Sequence, residues 1–472
     1  MATPWTPPAS MKTNNNIVGG ALSANQFGNY ANYLNSFAGY LKSHGVPLTV
    51  VSVQNEPDFL ATYESCVWTG SQMQTFFHNN ASVITNAPVM MPESFHYDKN
   101  MSDPALNDPV AVTNIAVVGL HLYGGTISDY PNAHSRGIST WMTEYLVNGQ
   151  TIDGAISTAQ QIHDCLVTGN MSAYVWWKTI GDTNGLINAS GVPQKRGFVM
   201  AQFSRFIRPG FNRIGVTNND GTIVSAYRNT NSTVFAIVAI NPTAFPLGPT
   251  FNLQSFPAVA SVTPWITSAD LSLAVQSSVA VTNSAFAYTL PAMSVVTFVG
   301  RANTPPTLSA PGNQTINPGV TLTVTNSAND IDLPAQTLTF TLLNAPTNGS
   351  LATINSTNAL FMWRPLISQA GSTNTMMIKV SDDGAPSLSA TNSFVITVNP
   401  VSQPTLSPSA LGNGQTALTA TGLIGPDYTL LSSTNLANWQ VLFTTNPTVM
   451  PVTFIDTNRS DIDRFYRLQL GP

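Results

Sequence analysis

The sequence predicts a multidomain protein. Its expected parts are a (β/α)8 barrel of the TIM type, incomplete on its N-terminal side, and a β-sandwich side domain. An Ig/cadherin-like β-sandwich and a small all-β domain follow at the C-terminus. Three observations lead there. Through residue 210, short β-branched runs alternate with helical patterns, and polar or aromatic residues close each run on the same side. Beyond residue 211 the helical patterns stop and short alternating strands separated by turn residues take over. Two polar, proline-bearing stretches, Ala302-Asn303-Thr304-Pro305-Pro306 and Val401-Ser402-Gln403-Pro404, then punctuate the all-β part. The expected divisions are therefore 1–210, 211–301, 305–400 and 404–472.

Taken in order, residues 26–43 carry aromatic side chains at turn spacing and read as a helix. Residues 47–53 read as a strand, and Pro57, which has no N–H to give a ladder, ends it just past Asn55-Glu56. A helix at 71–85 and a strand at 87–91 follow, the strand closing on Pro92-Glu93-Ser94. The strand at 115–121 closes on His121-Leu122-Tyr123, and the one at 138–143 closes on Glu144. A helix at 153–167, a strand at 172–177 ending in Trp176-Trp177, and a helix at 197–206 stopped by Arg208-Pro209-Gly210 complete the alternation. That makes five strands and a remnant at 2–5, where a closed barrel needs eight. The missing strands, as the family resemblance set out below implies, are two with their helices ahead of Met1. In the side domain, strands are expected at 222–228, 234–241, 258–263 and 295–299.

Only 8% of residues are charged, against about a quarter in ordinary soluble domains. Ser, Thr and Asn meet the solvent instead, which suits a secreted, extracellular protein handling neutral polymers, although no signal peptide opens the chain. A net charge of −5 leaves no basic footprint for nucleic acid. No apolar run approaches the roughly 18 residues of a membrane span. Cys66 and Cys165 make no disulfide framework and read as free and buried. A monomer without metal or cofactor is expected.

The chain holds four glutamates, Glu56, Glu64, Glu93 and Glu144, so glutamate is not its general surface charge. Two of them, Glu56 and Glu144, close strands at the barrel end where such folds keep their chemistry. Paired carboxylates flanking one bond are the equipment of glycoside hydrolysis. Trp5, Tyr123, Trp176 and Trp177 also stand at strand ends, where aromatic faces suit the C–H faces of sugar rings. Blander readings fit the rest. Glu64 holds a loop, Glu93 ends a strand in the mouth, and His121 orients its neighbours. Trp68, Trp141, Trp363 and Trp439 read as core. Asp330, Asp332, Asp382 and Asp383 resemble acidic positions of cadherin-like repeats and are read as turn residues.

Eight segments together carry a resemblance. They are Thr3-Pro4-Trp5-Thr6-Pro7-Pro8-Ala9-Ser10-Met11-Lys12, Ser52-Val53-Gln54-Asn55-Glu56-Pro57-Asp58, Tyr63-Glu64-Ser65-Cys66-Val67-Trp68-Thr69, His121-Leu122-Tyr123-Gly124, Trp141-Met142-Thr143-Glu144, Val175-Trp176-Trp177, Lys195-Arg196-Gly197 and residues 201–210. Over about residues 1–300 the chain resembles glycoside hydrolase family 30, in its bacterial endo-xylanase and glucuronoxylanase branch. The resemblance implies a barrel with a β side domain and a retaining endo-β-1,4-xylanase acting on xylan-type hemicellulose. It implies Glu56 as acid/base, Glu144 as nucleophile and Asn55 as the partner of a sugar 2-hydroxyl. Trp5, Tyr123 and Trp177, with Trp176 and His121, would line the same subsite. The chain also departs from the pattern. Glucuronoxylan-specific members carry an arginine pair after the Trp-Trp strand, and Ile180 and Gly181 occupy those places here. Dependence on glucuronate side chains is therefore not expected. The competing readings are a catalytically impaired fragment serving as a sugar-binding or surface protein, and a relative acting on β-glucan or β-fucoside. The two C-terminal domains are expected to bind carbohydrate or a cell surface.

Overall fold

The computed structural model describes residues 1–471 except 219, 220, 232, 255, 257, 258, 333, 334, 413 and 459–462. Ala258, which opens one expected strand, and Pro472, which ends the last expected domain, lie outside the described residues. The chain divides into two compact bodies, one of residues 1–256 with 261–301, the other of residues 257–260 with 302–472.

In the first body, β1 (Val51–Ser52), β2 (Val89–Ser94), β3 (Val117–His121), β4 (Ser139–Glu144) and β5 (Ala173–Tyr174) form a parallel sheet in that order. Ala2 adds an isolated parallel bridge to Val51, where the strand remnant is expected. Every residue of β1, β2 and β3 is buried, which is why these strands read as continuous apolar runs. Helix α1 (Phe27–Ser43) precedes β1, helices α2 (Gly70–Asn79), α3 (Asp103–Leu106), α4 (Pro131–His134) and α5 (Ile152–Val167) fall between successive strands, and α6 (Lys195–Ser204) follows β5. α1 buries Phe27, Tyr30, Ala31, Leu34 and Ala38, one face at helical spacing. A reciprocal capping box between Thr69 and Gln72 starts α2. The expected helix at 71–85 breaks at Asn80, beyond which only a short 3₁₀ turn, Ala81–Val83, continues.

The parallel ladder is irregular at its C-terminal tips. Between β2 and β3 the pairing slips at Glu93, and between β3 and β4 it slips at Thr143. A bulge of this kind bends the strand and re-aims its side chains. Both bulges stand beside the glutamates.

The side domain belongs to the same body. β6 (Asn212–Ile214), β7 (Ile223–Arg228), β8 (Val234–Asn241), β9 (Thr250–Asn252), β10 (Ser261–Thr267), β11 (Ala274–Val275), β12 (Val279–Ala280), β13 (Ala285–Ala287) and β14 (Ser294–Arg301) build it. Its main antiparallel sheet runs β11-β10-β14-β8-β7-β6, with β12 also on β10, and β9 and β13 form a second small sheet. β8 and β14 alternate between two buried faces. Val238, Ile240 and Val295 pack with Ala155, Ile156, Ala159 and Ile162 of α5 and with Val199 and Phe203 of α6. On the other face, Phe298 meets Phe251 and Phe286 at ring separations of 5.0 and 5.1 Å. The expected strand at 258–263 starts later, as β10, and the short β9 and β13 carry too few residues to show in a period-two pattern.

The second body contains two four-stranded sheets around Phe361, Trp363, Met376, Ile378, Phe394 and Ile396. Two three-stranded sheets around Leu418, Ala420, Tyr428, Leu430 and Phe454 follow. The stretch expected as a second linker, 401–404, lies within this body. An Arg364–Asp427 ion pair at 2.9 Å and an Asn317–Ile424 hydrogen bond join its two halves. Trp363 is core, as expected, whereas Trp439 is half-exposed with the Arg467 guanidinium 4.4 Å from its ring centre.

Candidate active site

Glu56 sits just past β1 with φ at +45°, a left-handed conformation that a glutamate adopts only at a cost of about 1–3 kcal/mol. The surroundings hold it there: its N–H donates to the Glu93 carbonyl at 3.1 Å, and Glu93 itself has φ at +56°. The side chain of Glu56 is buried. Its Oε1 lies 3.0 Å from His121 Nδ1, and its Oε2 accepts the Tyr63 hydroxyl at 3.0 Å. Glu144, at the tip of β4, accepts the Tyr123 hydroxyl at 3.0 Å. One oxygen of each glutamate and a ring nitrogen of His121 all lie within 4.8 Å of one another. The two strand-closing carboxylates expected to face each other across the mouth therefore do so.

His121 is fully buried among three carboxylates: Glu56, Glu93 with Oε1 at 3.8 Å from Nε2, and Glu144 with Oε1 at 3.9 Å from Nδ1. Burial pulls the imidazole down. Hydrogen bonding to Glu56 and Glu93 and the charges of Glu93 and Glu144 outweigh it and hold its pKa at about 9. Gly119 makes room for this arrangement, since a Cβ there would stand 2.9 Å from Glu93 Cγ. Burial pushes the Glu144 carboxyl up to about 7. The His121 cation and the Tyr123 hydroxyl oppose that rise, and the Glu56 and Glu93 charges add to it. Burial, with Glu56 beside it, also pushes the Tyr63 hydroxyl up to about 12, so it stays a donor. Glu56, His121 and Glu144 are the one set of three acidic or imidazole side chains among the described residues with metal-ligand spacing.

The aromatic residues separate into two groups. Trp5 stacks on Trp177 at 5.4 Å and meets Tyr63 at a tilt of 50° with ring centres 5.3 Å apart, and Trp177 is 40% exposed. Asn55 is buried beside them, its N–H bonded to the Pro4 carbonyl at 3.0 Å. Its Oδ1 has no protein partner among the described residues. A second line, Phe59, Phe95, Tyr123 and Tyr145, runs ring on ring at 4.2, 5.0 and 5.5 Å. Trp176 corrects the sequence reading. It is buried, its Nε1 donates to the Asn184 carbonyl at 2.8 Å, and Arg196 covers its ring at 4.6 Å. It supports the mouth from below and offers it no face. Trp68 packs in the core as expected, whereas Trp141 is only partly buried, against Val50, Met90 and Val117. Cys66 and Cys165 are buried and free.

Sequence reasoning gave no role to Tyr63, to Tyr145 or to the Phe59–Phe95 pair. Tyr63 opens one of the resembling segments, but the loops that bring these residues to the glutamates carry no periodicity that would assign them a role. Arg136 is the arginine closest before β4, and it is tied to Asn132 and Asn107. It precedes the start of β4, on the order of 20 Å of strand from the Glu144 tip, and cannot serve the mouth. Past Trp177 the chain makes a compact loop in which Gly181 N–H bonds the Ile187 carbonyl at 2.9 Å and Ile180 is exposed.

Two carboxylates at the tips of parallel strands, in an aromatic-walled mouth, define a glycoside hydrolase. No family model matches the chain. Glucuronoxylanase XynC of Bacillus subtilis strain 168 is 40% identical over 314 residues, covering 63% of this chain and 73% of that protein. Among solved structures, the family 30 subfamily 8 xylanase Xyn30A of Clostridium acetobutylicum is 41% identical with a TM-score of 0.61, over 64% of this chain and 79% of that one. A family 30 endoxylanase of Clostridium papyrosolvens C71 is 40% identical with a TM-score of 0.59, over 64% and 78%. The chain belongs to glycoside hydrolase family 30.

Proposed function

We propose that the protein is a retaining endo-β-1,4-xylanase, secreted and monomeric, that cleaves xylan-type hemicellulose through a covalent glycosyl-enzyme. The observation that carries this reading is the approach of Glu56 and Glu144 to within 4.8 Å. Retaining enzymes hold their carboxyl groups about 5–5.5 Å apart, whereas inverting ones leave about 6.5–9.5 Å for a water. The substrate class rests on the relatives, whose names are glucuronoxylanase, xylanase and endoxylanase.

In this reading Glu144 is the nucleophile, oriented by the Tyr123 hydroxyl, and Glu56 is the acid/base, oriented by Tyr63 and His121. Two carboxylates this close disfavour double ionisation. The reactive microstate has the proton on Glu56. Glu144 then attacks the anomeric carbon while Glu56 gives its proton to the departing oxygen. In the second step Glu56, now ionised, takes a proton from the water that releases the sugar. Trp5 and Trp177 offer faces to the sugar ring, and the unpartnered Asn55 Oδ1 suits a sugar hydroxyl. Ile180 and Gly181 cannot clamp a carboxylate, so glucuronate decoration is not required. The second body is read as an Ig/cadherin-like sandwich and a small β domain whose exposed surfaces bind carbohydrate or a cell surface.

The test is Glu144→Gln, which removes the nucleophile and keeps its shape. Turnover should fall roughly 10³-fold or more, about 4 kcal/mol of barrier. Near-normal turnover in a folded variant overturns the assignment.

A further inference from the structure

A half-buried aromatic ring follows each of the first four strands of the parallel sheet: Phe59 after β1, Phe95 after β2, Tyr123 after β3 and Tyr145 after β4. Their planes are nearly parallel, with interplanar angles of 9°, 28° and 27° along the line. Phe95 is stacked on both Phe59 and Tyr123, so its faces are spent on its neighbours rather than offered to a sugar. His96 closes the edge of Phe95, with ring centres 4.6 Å apart at 87°. The line runs from the turn of Glu56 to the strand tip of Glu144.

Hydrogen bonds brace the same line. Phe59 stands in the turn of Glu56, its N–H donating to the Glu56 carbonyl at 3.1 Å. The Asp58 carboxylate accepts the Phe95 N–H at 2.8 Å and the Ser94 hydroxyl at 2.6 Å, which clamps the loop after β1 to the end of β2. The Tyr123 N–H donates to the Phe95 carbonyl at 3.2 Å, and His96 Nδ1 lies 2.6 Å from the Tyr123 carbonyl oxygen. Gly125 allows this close approach, since a Cβ there would stand 2.3 Å from the His96 carbonyl oxygen. At the far end the Tyr123 hydroxyl donates to Glu144 at 3.0 Å. That hydroxyl sits at the tip of its ring, so a swing of the ring moves it further than the ring centre. A hydrogen bond weakens steeply as its geometry opens. Whatever fixes the Tyr123 ring therefore fixes its contact with Glu144.

We propose that Phe95 is a positioning residue: it holds the Tyr123 ring, and through the Tyr123 hydroxyl it places the Glu144 carboxylate for attack. The inference rests on Glu144 as the nucleophile. A carboxylate already aimed at the anomeric carbon reacts without first being oriented, and a displacement of about 1 Å can cost about 100-fold in rate. Because Asp58 carries the clamp on Phe95, the same line links the acid/base turn to the nucleophile.

The experiment is a double-mutant cycle on the full chain. Phe95→Leu, Phe95→Tyr, Tyr123→Phe and the double variant of Phe95→Leu with Tyr123→Phe are assayed on a soluble xylo-oligosaccharide. Each is measured at its own pH optimum, with thermal unfolding as the control for folding. Phe95→Leu should lower kcat about 10-fold or more and leave KM within about 2-fold. Phe95→Tyr, which keeps the ring, should hold kcat within about 3-fold of the parent. With Tyr123→Phe already in place, Phe95→Leu should cost about 2-fold or less, because no hydroxyl is left to misplace. A KM that rises while kcat holds makes Phe95 a substrate contact and overturns the proposal. An equal loss in both backgrounds overturns it too, as does a lower unfolding temperature with unchanged kcat. If Phe95→Leu does not fold, Phe59→Leu, one ring further from Glu144, decides in the same cycle, with about 3-fold expected in the parent and no loss in Tyr123→Phe. An additive cycle beside an inactive Glu144→Gln overturns this inference and leaves the nucleophile in place.

Discussion

Replacing Tyr123 with Phe removes a single hydroxyl, the one that donates to Glu144 at 3.0 Å. The ring remains to stack between Phe95 and Tyr145, so the fold should be unaffected. A hydrogen bond to an ionised group is worth about 1.5–3 kcal/mol, and much of that favours the carboxylate over the carboxylic acid. At about 1.4 kcal/mol per pKa unit, losing it raises the Glu144 carboxyl by up to about one to two units. The parent carboxyl stands at about 7, so its ionised fraction grows as pH rises through neutrality. The acid limb of kcat/KM should therefore centre near 7 in the parent and move to higher pH in Tyr123→Phe. The assay is kcat/KM across pH on a soluble xylo-oligosaccharide, with thermal unfolding as the control for folding. An acid limb that stays in place, or moves down, refutes the assignment of Tyr123 as the group that holds Glu144 ionised.

The same geometry sets two other outcomes. Glu56→Ala should cost far more on substrates with poor leaving groups than on activated aryl xylosides, and added azide should restore turnover of the latter; equal losses without rescue leave Glu56 a structural residue. Glucuronoxylan and undecorated xylan should be cut at comparable rates, since a bidentate clamp of about 1.5–3 kcal/mol, roughly 10–100-fold in preference, is missing at Ile180 and Gly181; mass spectrometry of a glucuronoxylan digest in which every product carries one glucuronate at a fixed place contradicts this and turns attention to the exposed Lys178.

Much of the barrel was legible because parallel strands buried on both faces must be apolar up to their C-terminal tips, as β2 is through Pro92 and β3 through Leu120. Their C-terminal ends are the first polar positions after such runs, and so Glu56 and Glu144 could be picked out. The bulges at Glu93 and Thr143 could not, because an extra residue leaves composition and hydrophobicity unchanged. Trp176 and Trp177 look alike in sequence. Only the path of the chain decides that one faces Arg196 and the other the mouth. In the second body, prolines suggested linkers, but Asn303 and Thr304 are held by aspartates about 30 and 80 positions away in the chain. Contacts of that range leave no periodic trace.

The central claim is double displacement by Glu56 and Glu144, and the anomeric configuration of the first product tests it most directly. Proton NMR during the first minutes of xylan hydrolysis should show the β-anomer accumulating ahead of the α, which appears later as the sugar mutarotates. An α-anomer that accumulates first would mean inversion. It would contradict the covalent intermediate on Glu144 and the reading of a 4.8 Å carboxylate approach as a retaining site.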